Sequence, residues 1–442
     1  GYAQSGWTLP SFASLFTGLY PFEHRVVRSP DSEDIFGKLS TKIPTMASLF
    51  QKNGYQTAAV VNNTFLAPQF GLDSGFSEYF YEGADNDSLR SAQDTTKVAL
   101  EWVQRQSEQS SIFLTVHYME PHLTLSPPKE SSGRFTQHNK TIQAPFGARD
   151  AFDWRLESKR NNNPEVVQEV LNIYDEEIFS VDLAIGQLLQ GLEKEGRRKD
   201  ALIVFTSDHG EDLFEPYTSL THGVSFNGGD QGNLVPCILY VPKTEPRKIN
   251  HITRNIDLAP TLLKLTVNKT ESRFEGTNLS PYIEGETSDL NLVFYGETSF
   301  PFVQRRTKSD IPLYVPPLDE LTYVDENFKF HIVLKPEYEK NLIKSKERCL
   351  RTKSWKIVFS PTKNGYIHSL YNIENDPQCL KDVSNEFPSI MKRMKHFLWE
   401  WILHGKEYSN DQIMNDPLPS VNQIPSDYEN IKFPQSETIS PL

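Results

Sequence analysis

Four short apolar runs, each rich in β-branched or aromatic residues and set among segments of helical character, constrain this chain more than any other feature. They are residues 57–62 (TAAVVN), 112–118 (IFLTVHY), 201–206 (ALIVFT) and 238–241 (ILYV). Runs of this length read as strands of a buried sheet and are far too short to cross a membrane. Between the second and third lies a helical pattern over residues 164–195. Its apolar positions are Val166, Val167, Val170, Leu171, Tyr174 and Ile178, continuing through Val181, Leu188 and Leu192, and Gly196 is a fitting stop. A spacing near 3.6 buries one face of such a helix. Strands alternating with helices stack into layers, so the expected fold is α/β: a mostly parallel central sheet flanked by helices.

From about residue 289 the pattern changes to short strand-like pieces at 292–295, 328–334, 355–359 and 366–371, followed by a helix over 388–403. This predicts a catalytic α/β domain over 1–288 and a smaller C-terminal α+β subdomain over 289–406. The charged, Pro-containing stretch 305–347 reads as an insertion or lid. The tail 407–442, rich in Asn, Pro, Ser and Asp, reads as extended or disordered. A length of 442 residues suits one large and one small unit.

Composition narrows the function. The 58 acidic against 45 basic side chains give a net charge of −13, which argues against non-specific nucleic-acid binding. Three cysteines exclude a disulfide scaffold or a Cys-rich zinc module. Cys237 reads as a core thiol, and Cys349 and Cys379 pair only if the fold joins them. Asn-x-Ser/Thr triplets occur at Asn62, Asn86, Asn139, Asn268 and Asn278, a weak sign of secretion in an Asn-rich chain; compartment and oligomeric state are not legible. The chain enters a dense motif almost at once from Gly1, so a preceding segment is expected.

Four elements carry chemistry. In Ser5-Gly6-Trp7-Thr8-Leu9-Pro10-Ser11, Pro10 suits the first turn of a helix and Gly18 its end, which puts Thr8 at or just before the N-terminus. Free backbone N–H groups and the helix dipole favour an anion there, and a hydroxyl can attack it; the alternative is that Thr8 is a cap. In Val204-Phe205-Thr206-Ser207-Asp208-His209-Gly210-Glu211 a strand ends in a carboxylate beside an imidazole, a donor pair for a divalent cation, or else a hydrogen-bonded turn. His222, in Thr221-His222-Gly223, can donate to an anion or act as an acid, as can His122 in Glu120-Pro121-His122. His117 sits inside the run 112–118 and reads as packed.

The order of these pieces resembles the sulfatase family within the alkaline-phosphatase superfamily. The signature there is Cys or Ser, any residue, Pro, Ser, Arg, then a short helix ending in Thr-Gly; here it is Thr8-Leu9-Pro10-Ser11-Phe12, with Thr17-Gly18. His24, Pro121-His122, Asp208-His209-Gly210, His222-Gly223 and Leu370-Tyr371-Asn372 fall in the family's order, so the likeness spans roughly residues 1–400. The resemblance implies a metal-dependent hydrolase of sulfate or phosphate esters of small molecules or carbohydrates. Thr8 is the nucleophile, His122 and His222 contact the ester oxygens or the leaving group, and Asp208, His209 and Thr8 are metal ligands. The implied cation is calcium, with manganese or zinc as alternatives. Two features depart from the pattern. Threonine cannot become formylglycine, and Phe12 replaces the arginine. The acidic strand that precedes the nucleophile in the family is also not in the sequence. Two other readings stay open: a phosphoglycerol- or phosphoethanolamine-type transferase or phosphodiesterase, and an inactive sulfatase-like binding protein.

Overall fold

The structure is a computed structural model that describes residues 1–26, 38–82, 89–136, 144–147, 164–215, 222–298, 313, 315, 316, 318–326, 331–418, 428 and 431. The first sheet holds β1 (Gln56–Asn62), β2 (Glu78–Glu82) and β3 (Ile112–Val116) in the order β2-β1-β3. All its pairs are parallel, with Ala58 opposite Glu78 on one side and Leu114 on the other. β1 is central and covered on both faces, so its run TAAVVN is buried throughout. The α/β class and the parallel sheet are as expected.

The sheet departs from expectation in two places. β2 (EYFYE) has no β-branched residue and is bracketed by Glu78 and Glu82, so it carries no strand signal of the usual kind. β4 (Ile203–Thr206) and β5 (Cys237–Tyr240) pair antiparallel with each other, and among the described residues no ladder joins them to β1–β3.

Helices cover the sheet. Helix Pro164–Lys194 packs on helix Ala92–Gln104, with Thr96 Oγ1 donating to Ala184 O at 3.1 Å. Helix Thr8–Thr17 is buried along its whole length in the main core, beside Val61, Leu66, Leu258 and Leu263. Among the described residues no helix is long and apolar enough to cross a membrane.

The later strands are β6 (Phe294–Glu297), β7 (Thr322–Asp325), β8 (His331–Leu334), β9 (Arg348–Arg351), β10 (Trp355–Thr362) and β11 (Gly365–Asn372). β11-β10-β9-β6 form an antiparallel sheet, and β7 and β8 form a hairpin. One face of the four-stranded sheet buries Ile357, Phe359 and Leu370 against Met394, Phe397, Leu398 and Trp401 of helix Pro388–His404. The other face meets Tyr2 and Phe226 of the larger unit. Within the stretch 305–347, Leu321, Leu334, Tyr338 and Leu342 are buried in the main core; residues 305–312 lie outside the described set. The tail opens with a short helix, Asn410–Asn415, capped by Ser409 and anchored by the fully buried Ile413. All three cysteines are free thiols.

Candidate active site

The site is built where helix Thr8–Thr17 meets the ends of β3 and β4. Thr8 is the first helical residue and is nearly buried, and no side chain caps the helix at Trp7. Three of the helix's other hydroxyls are committed to bonds. Ser11 Oγ donates to Asp208 O, Ser14 Oγ pairs with His24 Nε2 at 3.0 Å, and Thr17 Oγ1 donates to Ala13 O at 2.6 Å. Thr8 lies one turn before Ser11, and residues at that spacing share a helix face with Cβ atoms about 5–6 Å apart. The Ser11–Asp208 bond therefore ties this face of the helix to the strand end that carries Asp208 and His209. Gly18 closes the helix with φ +65° and donates to Ser14 O.

A second contact brings in His222. A Cβ on Gly223, at φ +62°, would lie 2.4 Å from Gly6 O, so the backbones before Thr8 and after His222 touch. His222 stacks on His209 with ring centroids 4.2 Å apart and lies 5.1 Å from His122. His117 joins them. It lies just past β3, where its N–H donates to Val60 O, and its ring meets Phe12 edge-on at 5.3 Å. The site thus gathers Asp208, His209, His122 and His222, and adds His117. Strand periodicity hid His117, because a histidine at the inward end of a strand reads the same whether it meets core or site.

The electrostatics follow from burial. Desolvation lowers His117 to about 4 and also lowers His122, His209 and His222. Burial works to raise the Asp208 carboxyl, but His209, His117, His222 and His122 around it carry it below the ordinary range. Burial pushes Glu211 up to about 7.

Hydrogen bonds assign the tautomers. His117 Nδ1 accepts from Asn62 N–H, so Nε2 carries the proton. His122 Nδ1 donates to Leu123 O at 2.5 Å, so its Nε2 holds a lone pair, and His222 Nδ1 shares a hydrogen bond with Glu211 Oε2 at 3.3 Å. His209 Nδ1 donates to Gly210 O at 2.9 Å, which leaves its Nε2 lone pair 3.5 Å from Asp208 Oδ2. Two acceptors so close call for a positive species between them, a proton or a metal. Among the described residues no three His, Cys, Asp or Glu are arranged to hold an ion. Asp208 and His209 by themselves offer two donors toward a cation, a carboxylate oxygen and a ring nitrogen 3.5 Å apart.

The C-terminal sheet holds the loop after His222 in place. Glu347 accepts from Ser225 Oγ, Phe226 N, Asn227 Nδ2 and Ser360 Oγ at 2.7–3.3 Å. Asp230 accepts from Tyr2 OH, Arg351 Nε and Lys356 Nζ at 2.8–3.0 Å. No local sequence signal pairs residues this far apart in the chain.

Comparison with known proteins was made on this geometry. The family model "Sulfatase" matches residues 1–268. An uncharacterized sulfatase, YdeN, of Escherichia coli K12 is 23% identical over 99% of this chain and 78% of its own. N-acetylglucosamine-6-sulfatase of Capra hircus is 22% identical over 90% of this chain and 76% of its own. Two solved structures share the fold at a TM-score of 0.64. One, in complex with its substrate D-glucosamine-2-N,6-O-disulfate, is 17% identical, covering 90% of this chain and 88% of that one. The other, a phosphonate monoester hydrolase from Silicibacter pomeroyi, is 18% identical, covering 91% of this chain and 86% of that one.

Proposed function

This chain belongs to the sulfatase family, and from that premise we propose that it hydrolyses sulfate esters of a carbohydrate or other small molecule, with Thr8 as the nucleophile. The observation that supports the reading is an uncapped helix N-terminus at Thr8 on a helix tied through Ser11 to the strand end of Asp208, the carboxylate that four imidazoles surround.

A sulfate ester is an anion, and it suits a helix N-terminus. The Thr8 oxygen attacks sulfur, and its proton passes to a ring nitrogen of His122 or His222. The bond from sulfur to the alcohol oxygen breaks, and the leaving oxygen takes that proton. Water then attacks the threonine sulfate, restoring the Thr8 hydroxyl and releasing hydrogen sulfate. A divalent cation held by Asp208 and His209, calcium on the family's precedent, would stabilise charge on the ester oxygens.

Threonine also favours a second reading, attack on a phosphate or phosphonate ester, because it cannot be converted to an aldehyde with a free hydrate. The test measures turnover of 4-nitrophenyl sulfate and of a phenyl phosphonate monoester by the full chain with added divalent cation. Thr8→Ala is expected to lower kcat by at least about 10³-fold on the preferred ester with thermal stability kept. Undiminished kcat in that variant would remove Thr8 from its role.

A further inference from the structure

Phe65 takes no part in the reaction above, yet the fold sets it beside the elements that carry it. Ligands of parallel sheets gather beyond the carboxyl ends of the strands. β1 and β3 run side by side, and the chain stays paired past both of their ends. His117 N–H donates to Val60 O at 2.8 Å, Asn62 Nδ2 to His117 O at 2.6 Å, and Asn63 Nδ2 to Met119 Sδ at 3.6 Å. The single helical turn that follows β1, Thr64–Leu66, therefore lies next to the segment that leads to His122. The same turn meets the helix of Thr8. The Phe65 ring packs edge-on against Trp7 with centroids 5.2 Å apart, and Trp7 is the residue before Thr8.

This turn divides its two apolar side chains. Leu66 is fully buried in the main core, whereas Phe65 is 37% exposed. A single exposed apolar residue is ordinary on a protein surface. What distinguishes Phe65 is how firmly it is held. Its N–H donates to Asn63 Oδ1 at 2.8 Å, Leu66 anchors the turn from below, and Trp7 braces the ring. A ring presented in one pose binds with little loss of conformational freedom. It is uncharged, so it cannot serve the anionic end of an ester. It can serve the alcohol half, whose carbon skeleton extends away from the helix N-terminus that takes the sulfate. A pyranose offers such a surface a flat face of C–H groups.

We propose that Phe65 is a specificity-determining residue, a platform on which the pyranose ring of a sugar sulfate lies while its sulfate group occupies the helix N-terminus. This deepens the hydrolase reading and rests on it.

The experiment uses the full chain with added divalent cation and compares two unactivated sulfates that differ in the presence of a ring. One is the best substrate among the 2-, 3- and 6-sulfates of glucose, and the other is ethyl sulfate. Phe65→Ala should lower kcat/KM on the sugar sulfate by about 10- to 100-fold, chiefly through KM, and on ethyl sulfate by less than about 3-fold. Phe65→Trp, which keeps an aromatic face, should recover most of the loss. An unchanged KM on the sugar sulfate in Phe65→Ala overturns the proposal, and so do equal losses on the two esters, which would mark a general disturbance of the site. A wild type that hydrolyses no ester sinks the hydrolase reading instead. Calorimetric titration with the same glucose sulfates then decides for Phe65. Binding weakened about 10-fold or more in Phe65→Ala supports the platform; equal affinity in the two proteins, or no binding by the wild type, overturns it.

Discussion

Two sets of buried carboxylates, one against the C-terminal sheet and one beside the site, are treated in opposite ways. Against the C-terminal sheet, Glu347 receives four donors and Asp230 three, two of them cationic. Around the site, Glu120 Oε2, Glu177 Oε2 and Glu211 Oε1 are buried with no hydrogen-bond partner among the described residues. Cover also differs between single strands of the two sets. β10 is buried from Lys356 to Thr362, whereas β3 is half-exposed along its length and β4 and β5 expose Phe205, Ile238 and Tyr240. A fully satisfied polar network rigidifies its surroundings, and unsatisfied groups persist where function keeps them. The C-terminal sheet acts as the anchor, and it grips the loop 225–230 that follows His222. The three glutamates beside the site keep unspent acceptor capacity.

The largest effect that can test this division lies in the anchor. Phe359 is fully buried between β10 and Trp399 of the C-terminal helix, with ring centroids 5.2 Å apart. Phe359→Ala should cost about 3–5 kcal/mol in urea unfolding, while Phe205→Ala, 40% exposed on β4, should cost less than about 1 kcal/mol. Similar costs for the two would erase the contrast.

A middle-sized effect lies in the catalytic half. Burial first, then the neighbouring Glu120 and Glu176, raise Glu177 to about 7, against a backbone bond from Ser126 that lowers it. The folded state binds that proton more tightly than the unfolded chain does. Its stabilising contribution is complete below the ordinary carboxyl pKa of about 4.5 and is lost as pH rises through about 7. Glu177→Gln should flatten the fall in stability across that window, by up to about 1.4 kcal/mol per pH unit. Parallel stability curves for variant and wild type would show that Glu177 is paired after all.

How much was legible in advance follows the same line. β1, β3, β4 and β5 announced themselves because β-branched and aromatic apolar residues need cover, and the helix Thr8–Thr17 did so through Pro10 and Gly18. Asp208, His209, His122 and His222 stood out as polar residues just past strand ends or beside glycine, and the structure does gather them. β2 stayed hidden because its pattern is aromatic between two glutamates. His117 was taken for packing, since periodicity says which way a side chain points and not what it meets. The grip of Glu347 and Lys356 on the loop 225–230, and the bond from His222 to Glu211, depend on pairings that only tertiary closure creates. Asn62 makes the converse point. It heads an Asn-x-Thr triplet, yet it is fully buried and bonded to Thr95, Arg90 and His117 O, where no glycan fits.

The smallest expected effect is the one that most sharpens the contrast. Ile238 on β5 is 61% exposed, and Tyr240 two residues on, on the same face, is 47% exposed. An apolar strand left open in this way invites pairing with another chain. Threonine keeps the β-branch and the strand preference while removing apolar surface. Ile238→Thr should therefore change unfolding free energy by no more than about 0.5 kcal/mol yet lower the rate of light-scattering growth on mild heating. A loss above about 1 kcal/mol would mean that Ile238 is covered in solution, and the open character assigned to the catalytic half would then belong to the isolated chain rather than to the working protein.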